Sequence, residues 1–250
     1  MKNTSQLALS VQLPDDETFD SYLSESNSAV VSQLALFIGK TGIENAVIEK
    51  SALSQLNQPK SFYLFGLTGV GKSHLLHACS AYASQLHKTS VCLSCAELLQ
   101  LSVEVLDGLE QIDVICLDDI QLLAGNTLWQ QAIFDLYNRV LEQNNCLLVS
   151  GDQSVGQLGI TLPDLTSRLS WGLTEQLKPL NDAEKITALQ FRASQRGLLL
   201  SDDAANFLLN RMSREMANLI NSLDILDKAS IREQRKITIP FIKDVLNLVT

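Results

Sequence analysis

The chain has 250 residues, 46% of them hydrophobic and 19% charged, with a formal net charge of −9. That composition excludes a disordered or fibrous chain and suits one large domain or a medium domain with a small companion. The charge is uneven: residues 1–179 hold 9 Lys/Arg against 19 Asp/Glu, net −10, while residues 180–250 hold 10 against 9, net +1. An acidic body repels phosphate backbones, which argues against tight direct DNA binding and for a protein partner.

The polar start Met1-Lys2-Asn3-Thr4-Ser5 lacks a signal-peptide core, and no apolar run reaches the roughly 18 residues needed to cross a bilayer. No membrane association and a cytoplasmic location are expected. Five cysteines, scattered mostly through apolar runs, fit a reducing compartment. Cys92 and Cys95 form a lone C-x-x-C without a second ligand pair, so neither a metal nor a redox role is expected there.

Residues 1–14 read as a tail ending at Pro14. Residues 28–38 and 44–56 carry helical patterns. The run Ser61-Phe62-Tyr63-Leu64-Phe65 reads as a buried strand stopping at Gly66, followed by a helix from Lys72 to about Leu86. Strands follow at 90–94, at 114–117 and at 146–149, with helices predicted near 96–109 and over 127–143. Strand and helix alternate, which predicts an α/β fold with a mainly parallel sheet covered on both faces. After Leu180 only helices are predicted, over 182–196, 202–213, 215–234 and 240–248. The chain is therefore divided into a tail (1–14), an α/β nucleotide-binding domain (15–179) and a small all-α lid (180–250).

Gly66-Leu67-Thr68-Gly69-Val70-Gly71-Lys72-Ser73 fits G-x-x-x-x-G-K-[ST], the Walker A phosphate loop, in the strand-to-helix context that loop requires. Its glycines let backbone N–H groups converge on phosphate, and the helix N-terminus adds partial positive charge. Gly66, Thr68, Gly69, Val70, Gly71, Lys72, Ser73 and His74 are the candidate cofactor-binding residues, for ADP or ATP. Lys72 is placed to reach the β- and γ-phosphates, and the Ser73 hydroxyl to ligate Mg²⁺. Val114-Ile115-Cys116-Leu117-Asp118-Asp119 reads as Walker B, with Asp118 the second candidate Mg²⁺ ligand. Asp119 stands where Glu usually polarises the attacking water. It is one methylene shorter, which argues against fast autonomous hydrolysis. Ser150 and Asp152 end the next strand and are candidates to contact a γ-phosphate or its water, the sensor 1 role, unless they simply make a polar turn. Arg168, in Leu165-Thr166-Ser167-Arg168-Leu169, is either a surface Arg or an arginine finger for a neighbour's nucleotide. Gln6-Leu7-Ala8-Leu9 is either a frayed end or a short linear motif whose leucines enter an apolar cleft.

Taken together, these motifs resemble the Hda family of DnaA-related AAA+ proteins. The likeness extends over nearly the whole chain: Gln6-Leu7-Ala8-Leu9, Leu13 to Phe19, Ser73 to Ala78, Ala132 to Arg139, Leu162 to Arg168, and Lys236 to Phe241. It implies a regulator of replication initiation that binds ADP or ATP with Mg²⁺. In that family Gln6, Leu7 and Leu9 match a motif for the DNA polymerase III beta sliding clamp, and Arg168 matches an arginine finger acting on ATP held by DnaA. Asp119 and Asp152 would join Arg168 as the candidate catalytic residues. The implied partners are DnaA and the clamp, with DNA met only through the clamp; a homodimer is compatible with the sequence. The resemblance implies little or no ATPase activity of the chain's own. DnaA itself has a basic insertion before Walker B, whereas residues 96–113 here contain no Lys or Arg. The family's sensor 2 Arg position is held by Ala217, with Arg214 one turn earlier, which weakens the case for γ-phosphate sensing. The alternative reading is an autonomous AAA+ ATPase such as a helicase loader, which the intact Lys72 keeps open.

Overall fold

A computed structural model describes residues 17–40 and 60–248. The tail motif of Gln6, Leu7 and Leu9, and the helix expected over 44–56, lie outside the described residues. The short apolar runs form β1 (Ser61–Phe65), β2 (Ser90–Ser94), β3 (Val114–Asp118) and β4 (Cys146–Gly151). With β5 (Leu173–Gln176) they make one sheet in the order β2-β3-β4-β1-β5, and every pairing is parallel. Parallel neighbours cannot be joined by tight turns, so each connection crosses over a face of the sheet and covers it.

Side chains alternate between the two faces along a strand. Phe62 and Leu64 of β1 therefore pack with Cys116 and Leu148 against α1 (Ser28–Lys40) and α2 (Lys72–Gln85), which contribute Leu34, Ile38, Leu75, Leu76 and Cys79. Tyr63, between them, points the other way with Ile115, Leu117, Leu147 and Val149. That face is covered by α4 (Thr127–Glu142), whose buried Trp129, Ile133, Leu136, Tyr137 and Val140 recur at helical spacing. The Asn126 side chain caps α4 by accepting from the Trp129 N–H at 3.2 Å.

Three features depart from the sequence reading. The helix expected near 96–109 is only one turn, α3 (Cys95–Leu98), followed by 3₁₀ turns at Val103–Leu106 and Leu109–Gln111. Ser102 is extended and Gly108 sits at φ 83°, so the backbone leaves the helical region twice in a segment whose apolar pattern alone had suggested a helix. A further helix, α5 (Pro163–Trp171), and β5 were not anticipated. Pro163 opens α5, where its missing N–H is harmless. The edge strand β5 alternates partial and full exposure, so it lacks the buried run that marks the other strands.

Beyond the sheet, α6 (Asp182–Gln195), α7 (Asp202–Arg211), α8 (Met216–Glu233) and α9 (Ile239–Val245) close around a core of their own that includes Leu189, Leu208, Leu219, Leu223, Leu226 and Phe241. Two of them carry side-chain caps: Ser201 accepts from the Ala204 N–H at 3.3 Å, and Thr238 accepts from the Phe241 N–H at 3.4 Å, two residues before Pro240. Among the described residues no helix is long and apolar enough to cross a membrane.

Candidate functional site

The loop after β1 leaves the sheet while still pinned to it, because the Gly66 N–H donates to the Gly151 carbonyl at 3.2 Å. Gly69 and Gly71 then turn it through positive φ, 81° and 92°. Gly71 is also a close approach: a Cβ there would lie 2.6 Å from Cε2 of Tyr22. α2 starts at the next residue, so its first-turn N–H groups and the positive end of its dipole face the loop. Lys72 is only 7% exposed, and its Nζ donates to the Gly66 carbonyl at 3.0 Å and the Leu67 carbonyl at 3.4 Å. A buried ammonium curled over the loop is where an anion's charge would be met.

β4 lies between β3 and β1, so the strand order brings the ends of all three to the edge where the loop begins. Ser150 is fully buried there; its hydroxyl donates to the Asp118 carboxylate and accepts from the Asp119 N–H at 2.9 Å. Asp119 takes the left-handed conformation at φ 60°, uncommon for a residue other than glycine, and its Oδ1 accepts from Gln121 Nε2 at 2.9 Å. Two buried oxygens, Gln121 Oε1 and Asp152 Oδ1, have no hydrogen-bond partner among the described residues. Buried acceptors of this kind call for a donor such as ordered water. Ser73 offers a hydroxyl at the cavity wall, and Asp118 a carboxylate at the adjoining strand end. Such hard oxygens suit Mg²⁺, which keeps several waters and completes its shell with phosphate.

The opposite wall comes from residues 17–27, of which only the stretch to Phe19 had entered the family resemblance and none had been assigned to the site. The Tyr22 hydroxyl donates to the Val70 carbonyl at 3.0 Å and accepts from Asn27 at 3.2 Å. Its ring meets His74 edge-on, with centroids 5.4 Å apart. His74 Nε2 lies 3.0 Å from the Thr18 carbonyl, and Nδ1 lies 3.4 Å from a guanidinium nitrogen of Arg192. Arg192, on α6, is 6% exposed and also lies 3.6 Å from Glu17. The Glu184 carboxylate accepts from Ser24 and Ser26, tying the start of α6 to the same segment.

Between this segment, the glycine loop and the helices lies a cavity of about 520 Å³. Of the sequence candidates, Thr68, Gly69, Val70, Gly71, Lys72, Ser73, His74 and Asp119 line it; Gly66, Asp118 and Asp152 stand outside its lining. The helical region adds Ala188, Arg192, Met216, Ala217, Ile220 and Asn221. Ala217 thus presents a methyl group to the cavity. Arg214 does not replace the missing cation: it is 62% exposed and pairs with Asp182 at 3.3 Å. Tyr22 and Arg192 escaped the sequence reading because each is recruited over a long stretch of chain and belongs to no local pattern.

Arg168 is elsewhere. In the last turn of α5, its guanidinium lies over the Trp171 ring, 5.3 Å from the centroid, and Trp171 is 74% exposed. The two line a second cavity of about 340 Å³ with Phe134, Asp164 and Ser167, and no residue lines both cavities.

Comparisons with known proteins agree with this architecture. The bacterial DnaA ATPase domain matches residues 37–176, and the Hda lid domain matches residues 182–246. Among solved structures, domain III of the Thermotoga maritima replication initiation protein DnaA superposes with a TM-score of 0.75 at 17% identity, covering 94% of this chain and 97% of that one. AMPPCP-bound DnaA from Aquifex aeolicus gives 0.65 at 18% identity, over 90% of this chain and 71% of that one. The Thermotoga maritima RuvB Holliday junction branch migration motor gives 0.66 at 18%, over 94% and 72%. At these identities the structures speak for the fold. The ATPase domain match spans more than half of the residues and the lid match most of the remainder, so the chain belongs to the DnaA-related AAA+ family and carries an Hda-type lid.

Proposed function

We propose that this protein is a regulatory adaptor of replication initiation that binds ADP or ATP in the larger cavity and completes the ATPase site of DnaA from outside. In this reading the loop N–H groups and Lys72 hold the diphosphate, and Ser73 and Asp118 hold Mg²⁺. The apolar lining from Leu23, Leu180, Ala188 and Ile220 takes the base. Bound Mg²⁺ would screen phosphate charge; the chain's own residues bind and orient. Asp119 has its carboxylate engaged by Gln121, and Ala217 brings no charge to the lid side, which favours retention of nucleotide over turnover.

The observation that carries the adaptor reading is the position of Arg168. A guanidinium outside its own nucleotide cavity, steadied over an exposed indole, suits a role on a phosphate held by another molecule. Gln6, Leu7 and Leu9 would tether the chain to the sliding clamp, and so to DNA only indirectly. The test is DnaA-bound ATP converted to ADP over time, with clamp loaded on DNA. Arg168→Ala should keep its fold and its ADP yet lose stimulation by about 10³-fold or more, the scale set by arginine fingers in GTPases. Full stimulation by that variant would remove the finger assignment.

A further inference from the structure

The backbone around Arg168 is anchored to the sheet. The Arg168 carbonyl accepts from the Tyr137 hydroxyl at 2.8 Å, and that phenol lies 2.7 Å from Ser61 Oγ at the start of β1. Gly172, just past the end of α5, sits so close to the same strand that a Cβ there would stand 2.2 Å from Ser61 Oγ. Leu165 and Leu169, on either side of Arg168, are buried in the core below. None of these contacts fixes the long Arg168 side chain, and holding such a chain in one place costs conformational entropy.

The side chain has one neighbour suited to that task. Arg168 and Trp171 are three residues apart, and so share a face of the helix. The guanidinium stands over the indole, 5.3 Å from its centroid. Trp171 is 74% exposed, whereas the other tryptophan, Trp129, is 4% exposed and packs in the core. Asp164, one turn earlier and lining the same cavity, makes no ion pair with Arg168. An aromatic partner differs from an acidic one in what it leaves open. A carboxylate would take up N–H donors and offset the charge. A ring attracts the guanidinium through its face and leaves the in-plane fork of donors available to a phosphate.

We propose, on the reading of Arg168 as a finger for ATP held by DnaA, that Trp171 is its positioning residue. The indole holds the guanidinium with its donors turned outward. A docked partner that covers the indole drives water from the pair and strengthens the attraction, so the hold is firmest when the phosphate is engaged.

The experiment follows hydrolysis of DnaA-bound ATP, with clamp loaded on DNA, over increasing amounts of this protein. The maximal rate and the half-saturating amount are then read separately. Trp171→Leu should lower the maximal rate roughly ten-fold, between the exposed and desolvated limits of a cation–aromatic contact. Trp171→Phe keeps an aromatic face and should recover most of that loss. In an Arg168→Ala background Trp171→Leu should cause no further loss, because it acts through the guanidinium alone. The side chain is exposed, so melting temperature and ADP affinity should match those of the unaltered protein. A raised half-saturating amount with an unchanged maximal rate would make Trp171 a docking contact and overturn the proposal, as would a Phe variant no better than Leu. Full stimulation by Arg168→Ala would remove the finger reading and this inference with it. An inactive Arg168→Ala beside a fully active Trp171→Leu would remove this inference alone.

Discussion

Gly71→Ala is the sharpest test of how residues 17–27 are joined to the phosphate loop. Two costs arise. An alanine at φ 92° is held in a left-handed backbone, which costs about 1–2 kcal/mol. Its Cβ would also stand 2.6 Å from Cε2 of Tyr22, so that ring must move. Moving it gives up the Tyr22 bond to the Val70 carbonyl, worth about 0.5–1.5 kcal/mol, together with the edge contact on His74. The expected loss of stability is about 2–4 kcal/mol. Gly69→Ala is the internal control: its φ is 81°, but nothing lies within 4 Å of the new Cβ, so it should cost only the backbone part, about 1–2 kcal/mol. Urea unfolding of both variants without nucleotide measures the difference. Equal losses would mean that the Tyr22 contact contributes nothing and that the segment does not brace the loop.

Other outcomes follow from the same geometry. Lys72→Ala removes the buried ammonium from the loop and should weaken ADP binding by about 1.5–3 kcal/mol, roughly ten- to hundred-fold, in calorimetric titration; unchanged affinity would place the nucleotide elsewhere. Replacing Gln6, Leu7 and Leu9 together by Ala should abolish capture on immobilised sliding clamp while ADP affinity holds, since a linear motif acts apart from the fold. His77, on α2 with its Nδ1 2.5 Å from Glu17 Oε2, also predicts a pH dependence. Its value is raised from 6.5 to about 10 by Cys92 and Glu17, so its stabilising contribution is fully present below about 6.5 and gone once the pH passes about 10. Burial alone would raise Glu17, but the His77 hydrogen bond and the positive groups around it bring it below 4.5, so the partner's contribution fades only in acid. The melting temperature of the unaltered protein should therefore exceed that of His77→Gln most clearly near pH 6. The gap should close by about pH 10, and a constant gap would exclude the protonated imidazole as its source.

What could be read from the residues was whatever is contiguous in the chain. Ser61 to Ser73 holds a buried strand, a glycine loop and a helix start in one line, so fold and chemistry are written together. The lid helices were legible for a similar reason, because Ser201 and Pro240 mark starts within a residue or two. The cavity's other walls were not. Tyr22 reaches Val70 across 48 residues, and His74 meets Arg192 across 118, distances over which no spacing rule operates. The stretch 96–109 misled because leucine and valine spacing resembles a helix, while Ser102 and Gly108 set the backbone conformations that break it. The lone C-x-x-C carried no sign of which residue faces Cys92 in the sheet, whereas folding sets Cys92 in register with Cys116 of β3.

Glu184 has two employments, and they constrain how the lid can move. One carboxylate oxygen closes the capping box of α6, accepting from the Asn181 N–H at 2.8 Å while Asn181 accepts from the Glu184 N–H at 2.9 Å. The other oxygen holds Ser24 and Ser26. Swinging the lid away from residues 24–26 therefore pulls on the side chain that seals the first turn of its own leading helix. Hinge opening and fraying of α6 become a single event. In hydrogen exchange the amides at the start of α6 should keep time with the opening of the nucleotide cleft, and bound nucleotide should slow both together.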